Sequence, residues 1–388
     1  MISYHKQVAP ILFGAGAAGQ LFEQLTNMGA TKAFICTDKG VADAGVVDKA
    51  VASLKENGFP YVIFDGCLPD APSDTFLSAA EMARTEKIDV VVAVGGGSDI
   101  DTAKCVSTLI EKAKTLEEIK GPPGPPIPVK PDVKLVLIPT TSGTGSEATA
   151  VAVLSESSNG MKFGVFITGA DLSIVDPELT LALPPGLTAS TGMDTIAHAI
   201  EAFTTISRKN PISDQRALAA MRLAVKWLPV AVKDGGNLEA RTNMCLACTL
   251  AGMAFNDSMN NFAHGIAHAF GQKSHLAHGL GCALAEPAAI ECFSEEYPDM
   301  IYEIGEVLGA DIPAGTAPVE IGKAVGGLLR ALMKEIGIPS FAKLGFSRED
   351  VMGHKEEILA EFQTMLSPVK ITPEIAEKVL ASMYDDYS

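Results

Sequence analysis

The segment VVVAVGGGSDIDTAK, from Val90 to Lys104, constrains the fold more than any other stretch of this sequence. A short apolar run, typical of a buried strand, is followed at once by three glycines and then by the start of a helical pattern. The triplet Gly95–Gly97 lets the backbone come close to a ligand, and Ser98 or Asp99 can cap the helix that follows. Because the N–H groups at a helix start bind anions well, this strand–loop–helix unit is a candidate pyrophosphate site.

Strand-like and helix-like segments alternate through the first part of the chain. Helical patterns such as DTFLSAAEMARTEKI lie between short runs that are rich in β-branched residues. This alternation predicts a parallel sheet with helices on both faces, whose ligands gather at the carboxyl ends of the strands. The predicted strands are AFICTD, YVIFDG, DVVVAVGGGS and VKLVLIPTT.

The character of the sequence changes after the Pro184–Pro185 pair. From Thr188 onward strand signals nearly vanish and amphipathic helical patterns dominate. We therefore predict an α/β dinucleotide-binding domain at residues 1–184 and an all-helical domain at residues 185–388. The proline-rich stretch GPPGPPIPVKP, residues 121–131, cannot be helix or central strand, and we interpret it as a surface loop of the first domain.

A second polar loop, PTTSGTGSEAT, follows another predicted strand. Its hydroxyl groups and glycines can line the same crevice as the glycine triplet, which favours a nucleotide over a single phosphate. Asp38 ends the strand AFICTD, where a carboxylate can accept hydrogen bonds from an adenosine ribose and would repel a 2′-phosphate. The sequence therefore predicts a preference for NAD(H) over NADP(H).

Composition excludes several classes of partner. The formal net charge is −17, so nucleic acid and anionic membranes are unsuitable partners. No apolar run approaches the roughly 18 residues of a membrane span, and the N-terminal residues do not have the pattern of a signal peptide. The seven cysteines are an odd number and are scattered, which does not indicate a disulfide framework. We expect a cytoplasmic protein.

Histidine is concentrated in one place: four of the seven histidines lie between His264 and Gly279. His264 and His268 share a helix face, but His278 follows His264 by fourteen residues, which is about 21 Å in one continuous helix. Gly271 can end a helix, so we predict a helix, a turn and a loop that folds back and brings His278 beside His264.

Asp194 and His198 are four residues apart on another predicted helix and therefore lie on one face. One carboxylate and up to three imidazoles suit a divalent ion such as iron, zinc or manganese. The glutamate of a zinc-protease HExxH motif is absent. A proton shuttle, or histidines that are only part of the core or surface, are alternatives that these spacings leave open.

Several long stretches, in the right order, resemble the iron-containing (group III) alcohol dehydrogenases over nearly the whole chain. They are GGGSDIDTAK, PTTSGTGSEAT, IVDPELTLALPPGLTASTGMDTIAHAIEAF and HGIAHAFG followed by HG. The resemblance implies a dehydroquinate synthase-like architecture, in which a Rossmann-like NAD-binding domain with a parallel sheet precedes an all-α metal-binding domain. It also implies NAD(H) and one divalent ion, Fe²⁺ first, with Zn²⁺ or Mn²⁺ as alternatives.

The resemblance also assigns residues to roles. The family's metal ligands fall on Asp194, His198, His264 and His278, and its second active-site histidine, a catalytic residue, falls on His268. Asp101 and Lys104 match the GGGSxxDxAK motif and are expected to organise the cofactor loop. The cofactor-binding positions fall on Asp38, Gly95, Gly96, Gly97, Ser98, Thr140, Thr141, Thr144 and Lys162.

The function that follows is an NAD(H)-linked oxidoreductase that interconverts a small primary alcohol and its aldehyde, and that forms a homodimer or higher homo-oligomer. A polyol dehydrogenase of the glycerol or propanediol type and a reductase of a functionalised, anionic aldehyde are alternatives. A different class is a redox-free lyase that binds a metal and NAD on the same scaffold. Where relatives carry GYVHAMAHQLG this chain has NNFAHGIAHAFG, so the substrate stays open.

Overall fold

The computed structural model describes residues 5–110, 116–120 and 128–388. It divides into two compact units: Lys6–Leu183, and Pro184–Ser388 together with His5. The proline-rich stretch predicted as a surface loop lies mostly outside the described residues, at 121–127.

A six-stranded parallel sheet forms the centre of the first unit. The strands of this unit are β1 (Ile11–Phe13), β2 (Ala33–Cys36), β3 (Tyr61–Phe64), β4 (Val90–Gly95), β5 (Lys134–Pro139), β6 (Val151–Ser155), β7 (Lys162–Phe166) and β8 (Leu172–Val175). The order in the sheet is β1-β8-β5-β4-β2-β3, while β6 and β7 form a separate antiparallel hairpin. The four strands predicted from the sequence are confirmed as β2 to β5.

Helices cover both faces of this sheet, which explains why its central strands are apolar throughout. Along β2, Phe34 and Cys36 belong to one buried cluster, while Ala33 and Ile35 belong to another on the opposite face. The helices of the unit are α1 (Leu21–Asn27), α2 (Lys39–Asp43), α3 (Val46–Ala50), α4 (Ala52–Glu56), α5 (Ser73–Thr85), α6 (Gly97–Ser107) and α7 (Leu116–Lys120). Side chains of α5 and α6 fill the first cluster, and those of α1, α3 and α4 fill the second.

The second unit is helical, and Pro184–Ser388 contains no strand. Its helices are α8 (Pro185–Thr204), α9 (Pro211–Lys233), α10 (Leu238–Ser258), α11 (Phe262–Ser274), α12 (His278–Phe293), α13 (Pro298–Leu308), α14 (Pro318–Glu335), α15 (Arg348–Met352), α16 (Lys355–Ala360) and α17 (Pro373–Asp385). Proline fits the first turn of a helix, and it begins α8, α9, α13, α14 and α17. The parallel sheet followed by this helical unit confirms the predicted fold class.

Helix α8 is buried along nearly its whole length and packs against α9, α10 and α12. Polar side chains on such a helix are removed from water, so each one needs a partner or a ligand. None of the helices in the described parts of the chain is both long and apolar enough to cross a membrane.

Candidate metal and nucleotide sites

The glycine triplet lies where β4 ends and α6 begins. Gly96 is the N-cap residue of α6, and its N–H donates to Asp99 Oδ2 at 2.8 Å. A Cβ atom on Gly95 would lie 2.1 Å from that carboxylate oxygen, and one on Gly97 would lie 2.5 Å from Thr144 Cγ2. Only glycine fits these two positions, and the first turn of α6 provides N–H groups that suit a phosphate.

The threonine loop runs beside the glycine triplet because β5 pairs with β4. Thr140 N–H donates to Gly95 O at 2.9 Å, and the Thr141 side chain lies 3.6 Å from the position of a Cβ on Gly96. The structure therefore brings together the two loops that the sequence predicted to line one crevice.

A buried polar network ties α6 to the segment after the threonine loop. Lys104 Nζ donates to Ser146 Oγ at 2.7 Å and to Val151 O at 2.6 Å. Asp101 accepts from Ser146 Oγ at 2.6 Å and from Val153 N–H at 2.9 Å. These bonds tie α6 to residues 146–153, while the role of Asp101 and Lys104 in organising a cofactor loop stays a prediction.

The remaining predicted cofactor residues lie close to the same edge of the sheet. Asp38 follows β2, which neighbours β4, and its side chain caps α2 by accepting from Val41 N–H at 3.0 Å. Lys162 Nζ lies 2.9 Å from Asp70 Oδ1, and Asp70 N–H donates to Ser98 Oγ at 3.1 Å. Asp70, which the sequence reasoning missed, thus links Lys162 to the glycine loop.

The four predicted metal ligands come from three helices of the second unit. Asp194 and His198 lie on α8, His264 on α11, and His278 is the first residue of α12. Asp194 Oδ1 lies 3.5 Å from His198 Nδ1, 3.6 Å from His264 Nε2 and 3.7 Å from His278 Nε2. The Nε2 atoms of His198 and His264 are 3.0 Å apart.

The turn that folds His278 back differs from the prediction. Helix α11 continues past Gly271 to Ser274 and ends at His275, which is left-handed with φ of 54°. Only residues 275–277 separate α11 from α12, so His278 begins a helix and does not lie in a loop. The expected helix end at Gly271 was wrong because a left-handed residue, here His275, can cap a helix without being glycine.

The residues present fit a divalent first-row ion. Asp194 Oδ1 and His198 Nδ1 are buried, and neither has a hydrogen-bond partner in the described part of the chain. A buried polar atom without a partner is costly, and an ion is the partner that suits a carboxylate among imidazoles. The ligand atoms of Asp194, His264 and His278 all lie within 4.8 Å of one another, so one ion could be held by these residues.

The charges at this cluster also suit an ion. Burial lowers the pKa of His198 to about 4, although the Asp194 carboxylate opposes that shift. For Asp194, burial alone would raise the pKa, but the imidazoles of His198 and His278 hold it well below its usual value. These directions make Asp194 ionised and His198 neutral, the forms that bind metals, whereas for His264 the effect of burial is outweighed by the charges of Cys282 and Glu201, which raise its pKa well above the usual value.

Glu201 is a functional residue that the sequence reasoning missed. It lies one turn after His198 on α8, and its Oε2 accepts from His264 Nδ1 and, at 3.1 Å, from Asn261 N–H. Its Oε1 accepts from the His264 backbone N–H at 3.0 Å. Because Nδ1 donates to Glu201, the lone pair of His264 is on Nε2, which faces Asp194. The Asp-x₃-His-x₂-Glu spacing on one helix face was the available signal.

The turn before α11 contains a strained residue and is fixed by hydrogen bonds to α8. Met259 has φ of 69° and ψ of 172°, a conformation that non-glycine residues rarely adopt. Asn261 Nδ2 donates to Thr204 Oγ1 at 2.9 Å and to Glu201 O at 3.1 Å. These bonds to α8 fix the start of α11 and hence the position of His264.

Three further side chains lie against the cluster. The ring of His268 lies 5.4 Å from that of His278, and its Nδ1 is 3.7 Å from Glu361 Oε2. Phe255 stacks on His198 with ring centroids 4.4 Å apart. Cys282, one turn after His278, is buried, and burial raises the pKa of its thiol to about 12. Sequence reasoning missed Glu361 and Cys282, since neither stands in a recognisable motif.

Two family models match the chain in succession. The model for iron-containing alcohol dehydrogenases matches residues 9–177, and the model for the C-terminal part of the Fe-containing alcohol dehydrogenase family matches residues 188–384. The chain belongs to the iron-containing alcohol dehydrogenase family. The enzyme is therefore an NAD-linked oxidoreductase of alcohols and aldehydes that uses a divalent metal, which confirms the predicted family, class and cofactors.

Individual relatives cover nearly the whole enzyme. An NAD-dependent methanol dehydrogenase of Bacillus methanolicus is 34% identical over 345 residues, which is 88% of this chain and 89% of that protein. The structure of a 1,3-propanediol oxidoreductase matches with a TM-score of 0.91 at 30% identity and covers 99% of this chain and 100% of its own. A sulfoacetaldehyde reductase from Bifidobacterium kashiwanohense, in complex with NAD⁺, matches with a TM-score of 0.88 at 27% identity and covers 99% of each chain.

Proposed function

We propose that the enzyme interconverts a small primary alcohol and its aldehyde, with the metal held by Asp194, His198, His264 and His278. The observation that carries this proposal is the buried Asp194 Oδ1, which has three imidazoles within 3.7 Å and no hydrogen-bond donor among the described residues. A fully structural aspartate in this position would have a donor. We assign dinucleotide binding to residues 1–184 and metal binding to residues 185–388.

When bound, the ion supplies Lewis acidity at the substrate oxygen and the nicotinamide carries the hydride. The protein binds and orients these groups. The α6 N-terminus, with Gly95–Gly97 and the threonine loop, is positioned to hold the pyrophosphate. Asp38 is positioned to accept hydrogen bonds from the adenosine ribose.

His268 is the proposed proton carrier. It lies one helical turn after His264, and its Nδ1 is near Glu361, which is partly exposed. A proton held at the His268 ring can therefore pass toward Glu361 and water. His268 is not needed as a metal ligand, because four other ligands are available and a catalytic metal keeps one position open.

The test is an activity screen of enzyme loaded separately with iron, zinc or manganese, with NAD(H) and one member of each substrate class. Primary alcohols from methanol to butanol are compared with 1,3-propanediol, glycerol and sulfoacetaldehyde, because two structural relatives are a 1,3-propanediol oxidoreductase and a sulfoacetaldehyde reductase. We expect the highest kcat/KM with an unsubstituted primary alcohol or its aldehyde. A higher value for a polyol or an anionic aldehyde would replace the proposed substrate class, and no change in NADH with any of them would leave only the redox-free alternative.

We also propose that the enzyme works in the cytoplasm as a homo-oligomer. Six of its seven cysteines are buried and all are free thiols, as expected for a reducing compartment. Most oligomeric enzymes are symmetric homo-oligomers. Light scattering on the purified enzyme measures the mass directly, and a mass of 40.5 kDa would contradict the oligomer.

A further inference from the structure

The segment that follows α16 brings a carboxylate to the edge of the histidine cluster. Residues 363–366 pack on α11 at Gly265, where a Cβ atom would lie 2.4 Å from Thr364 Oγ1. A larger residue than glycine at this position would push the segment away, so Gly265 permits the close contact. Just before this segment, Glu361 Oε2 lies 3.7 Å from His268 Nδ1.

The cluster is accessible to water on the side where Glu361 lies. Three of the four proposed ligands are at most 4% exposed, namely Asp194, His198 and His264. His278 is 28% exposed and Glu361 is 20% exposed. His268 lies near both, since its ring is 5.4 Å from that of His278 and its Nδ1 is beside the Glu361 carboxylate. A substrate that reaches the proposed ion from water therefore passes close to Glu361.

The charges around the proposed ion make this carboxylate important for an ionic substrate. A divalent ion brings two positive charges, and its imidazole ligands are neutral when they bind it. The carboxylates of Asp194 and of Glu201, which accepts from His264, bring two negative charges. With Glu361 the negative charges of this group exceed the positive ones by one, which repels an anion and attracts a cation.

We propose that Glu361 selects substrates by charge: it disfavours a substrate with an anionic group and favours a neutral or cationic alcohol. This inference rests on the proposed function, because it places the substrate oxygen at the histidine cluster. Two charges about 8 Å apart change an affinity by about tenfold or more at an effective dielectric constant of about 20. On a neutral substrate Glu361 acts only through His268, whereas on a charged one it acts directly as well.

The competing explanation is that Glu361 serves only the proton transfer of His268. Both roles predict that Glu361→Gln loses turnover, so a loss alone does not separate them. Proton transfer is required for every alcohol, and its impairment lowers kcat for all of them by a similar factor. Repulsion depends on the charge of the substrate, so it changes the ratio of kcat/KM between a charged and a neutral alcohol.

The test uses three alcohols of similar size that differ in charge. They are 3-hydroxypropanoate, 1-butanol and 3-amino-1-propanol, which are anionic, neutral and cationic at neutral pH. The value of kcat/KM with NAD⁺ is measured for each on the metal-loaded enzyme, and each value for a charged alcohol is divided by that for 1-butanol. We expect Glu361→Gln to raise the ratio for 3-hydroxypropanoate at least about tenfold and to lower the ratio for 3-amino-1-propanol.

Two further variants control for packing and for charge elsewhere. Glu361→Asp keeps a carboxylate, so both ratios should stay close to those of the unmodified enzyme. Glu356→Gln removes an exposed carboxylate from α16 and should leave both ratios unchanged. An unchanged ratio for 3-hydroxypropanoate in Glu361→Gln, or an equal rise in Glu361→Asp, would overturn the proposal.

Binding without turnover provides a second readout. Ligand-observed NMR on the zinc-loaded enzyme without NAD⁺ gives the dissociation constant of each alcohol. We expect the constant for 3-hydroxypropanoate, divided by that for 1-butanol, to fall at least about tenfold in Glu361→Gln, and no change in this quotient would also overturn the charge role. If the unmodified enzyme binds the alcohols but oxidises none of them, the proposed function fails, while the binding quotient still decides the role of Glu361.

Discussion

The buried charged pair Asp101–Lys104 of the first unit and the buried Asp194–His198 pair of the second have opposite surroundings. In the first unit, the buried Lys104 donates to Ser146 Oγ and Thr149 Oγ1. The buried Asp101 accepts from Ser146 Oγ and from the backbone N–H of Val153. In the second unit, Asp194 Oδ1 and His198 Nδ1 are buried without a hydrogen-bond partner among the described residues. The protein itself satisfies the Asp101–Lys104 pair, whereas the histidine cluster leaves two polar atoms for the ion that we propose.

This difference predicts which ligand's removal destabilises its unit more. Removing the nucleotide leaves the glycine and threonine loops bonded to one another, so their conformation changes little. Removing the metal leaves a buried carboxylate facing two buried imidazoles and the partly exposed His278, which is costly. Metal removal should therefore lower the melting temperature more than nucleotide removal does.

The largest expected effect tests the unsatisfied cluster directly. Replacing His264 or His278 by Ala should abolish stoichiometric metal binding, because each removes one of the few nitrogen donors around Asp194. Elemental analysis after dialysis provides the measurement. His275→Asn is the matched control, since His275 lies in the same stretch with a left-handed backbone that Asn tolerates. Full metal content in either alanine variant would mean that the ligand set is wrong.

The second prediction separates binding from catalysis within the same cluster. His268→Ala should keep its metal but lose turnover by on the order of 10²-fold, if the ring carries a proton. The loss should appear mainly in kcat, and the pH–rate profile should change. Glu361→Gln should give a smaller loss of the same kind, because Glu361 acts only through His268. If His268→Ala loses the metal while its circular dichroism is unchanged, the residue is a ligand instead.

The same difference explains how much could be predicted from sequence. The strands β2 to β5 and the loops that follow β4 and β5 are contiguous patterns, so their positions in the fold could be predicted, while the cofactor-binding role of Gly95–Gly97 and the threonine loop stays a prediction. The family resemblance supplied the four residues that we propose as ligands, but the helix end at Gly271 was predicted wrongly because His275 takes a left-handed conformation that a pattern assigns to glycine. Cys282 was missed because no recognisable motif contains it, whereas Glu201 could have been found from its spacing after Asp194 and His198 on α8.

A third prediction uses a buried acid near the cluster. Glu286 on α12 is fully buried, and neither carboxylate oxygen has a hydrogen-bond partner in the described residues. Burial, and then the Glu201 carboxylate, raises the pKa of Glu286 well above its usual value. The side chain is therefore protonated in the folded state at pH values where the unfolded chain has lost that proton.

The sign of the pH effect follows. Above the unfolded pKa of 4.5 the native state binds more protons, so this residue makes stability fall as pH rises toward its folded pKa. Glu286→Leu removes that dependence and should stabilise the neutral-pH enzyme by about 1–3 kcal/mol. Urea unfolding at several pH values measures it, with the exposed Glu335→Leu as control. A stability gain that does not grow with pH would show that Glu286 has an unseen partner.

The smallest expected effect concerns Asp38 in the first unit, whose side chain already has a hydrogen-bond partner. Asp38 caps α2 through Val41 N–H, so its replacement must remove the charge and keep the cap. Asp38→Asn does both, whereas glycine would change the cap as well. Loss of one charge beside a ribose 2′-phosphate is worth about 1.4 kcal/mol, so the preference for NAD(H) over NADP(H) should narrow about tenfold in kcat/KM. Asp43→Asn, on the same helix but exposed, should leave the preference unchanged.

A preference of the unmodified enzyme for NADP(H) would refute the role of Asp38. An unchanged ratio in Asp38→Asn would mean that the carboxylate serves only as the cap of α2, and the first unit would then select its cofactor through groups other than this charge.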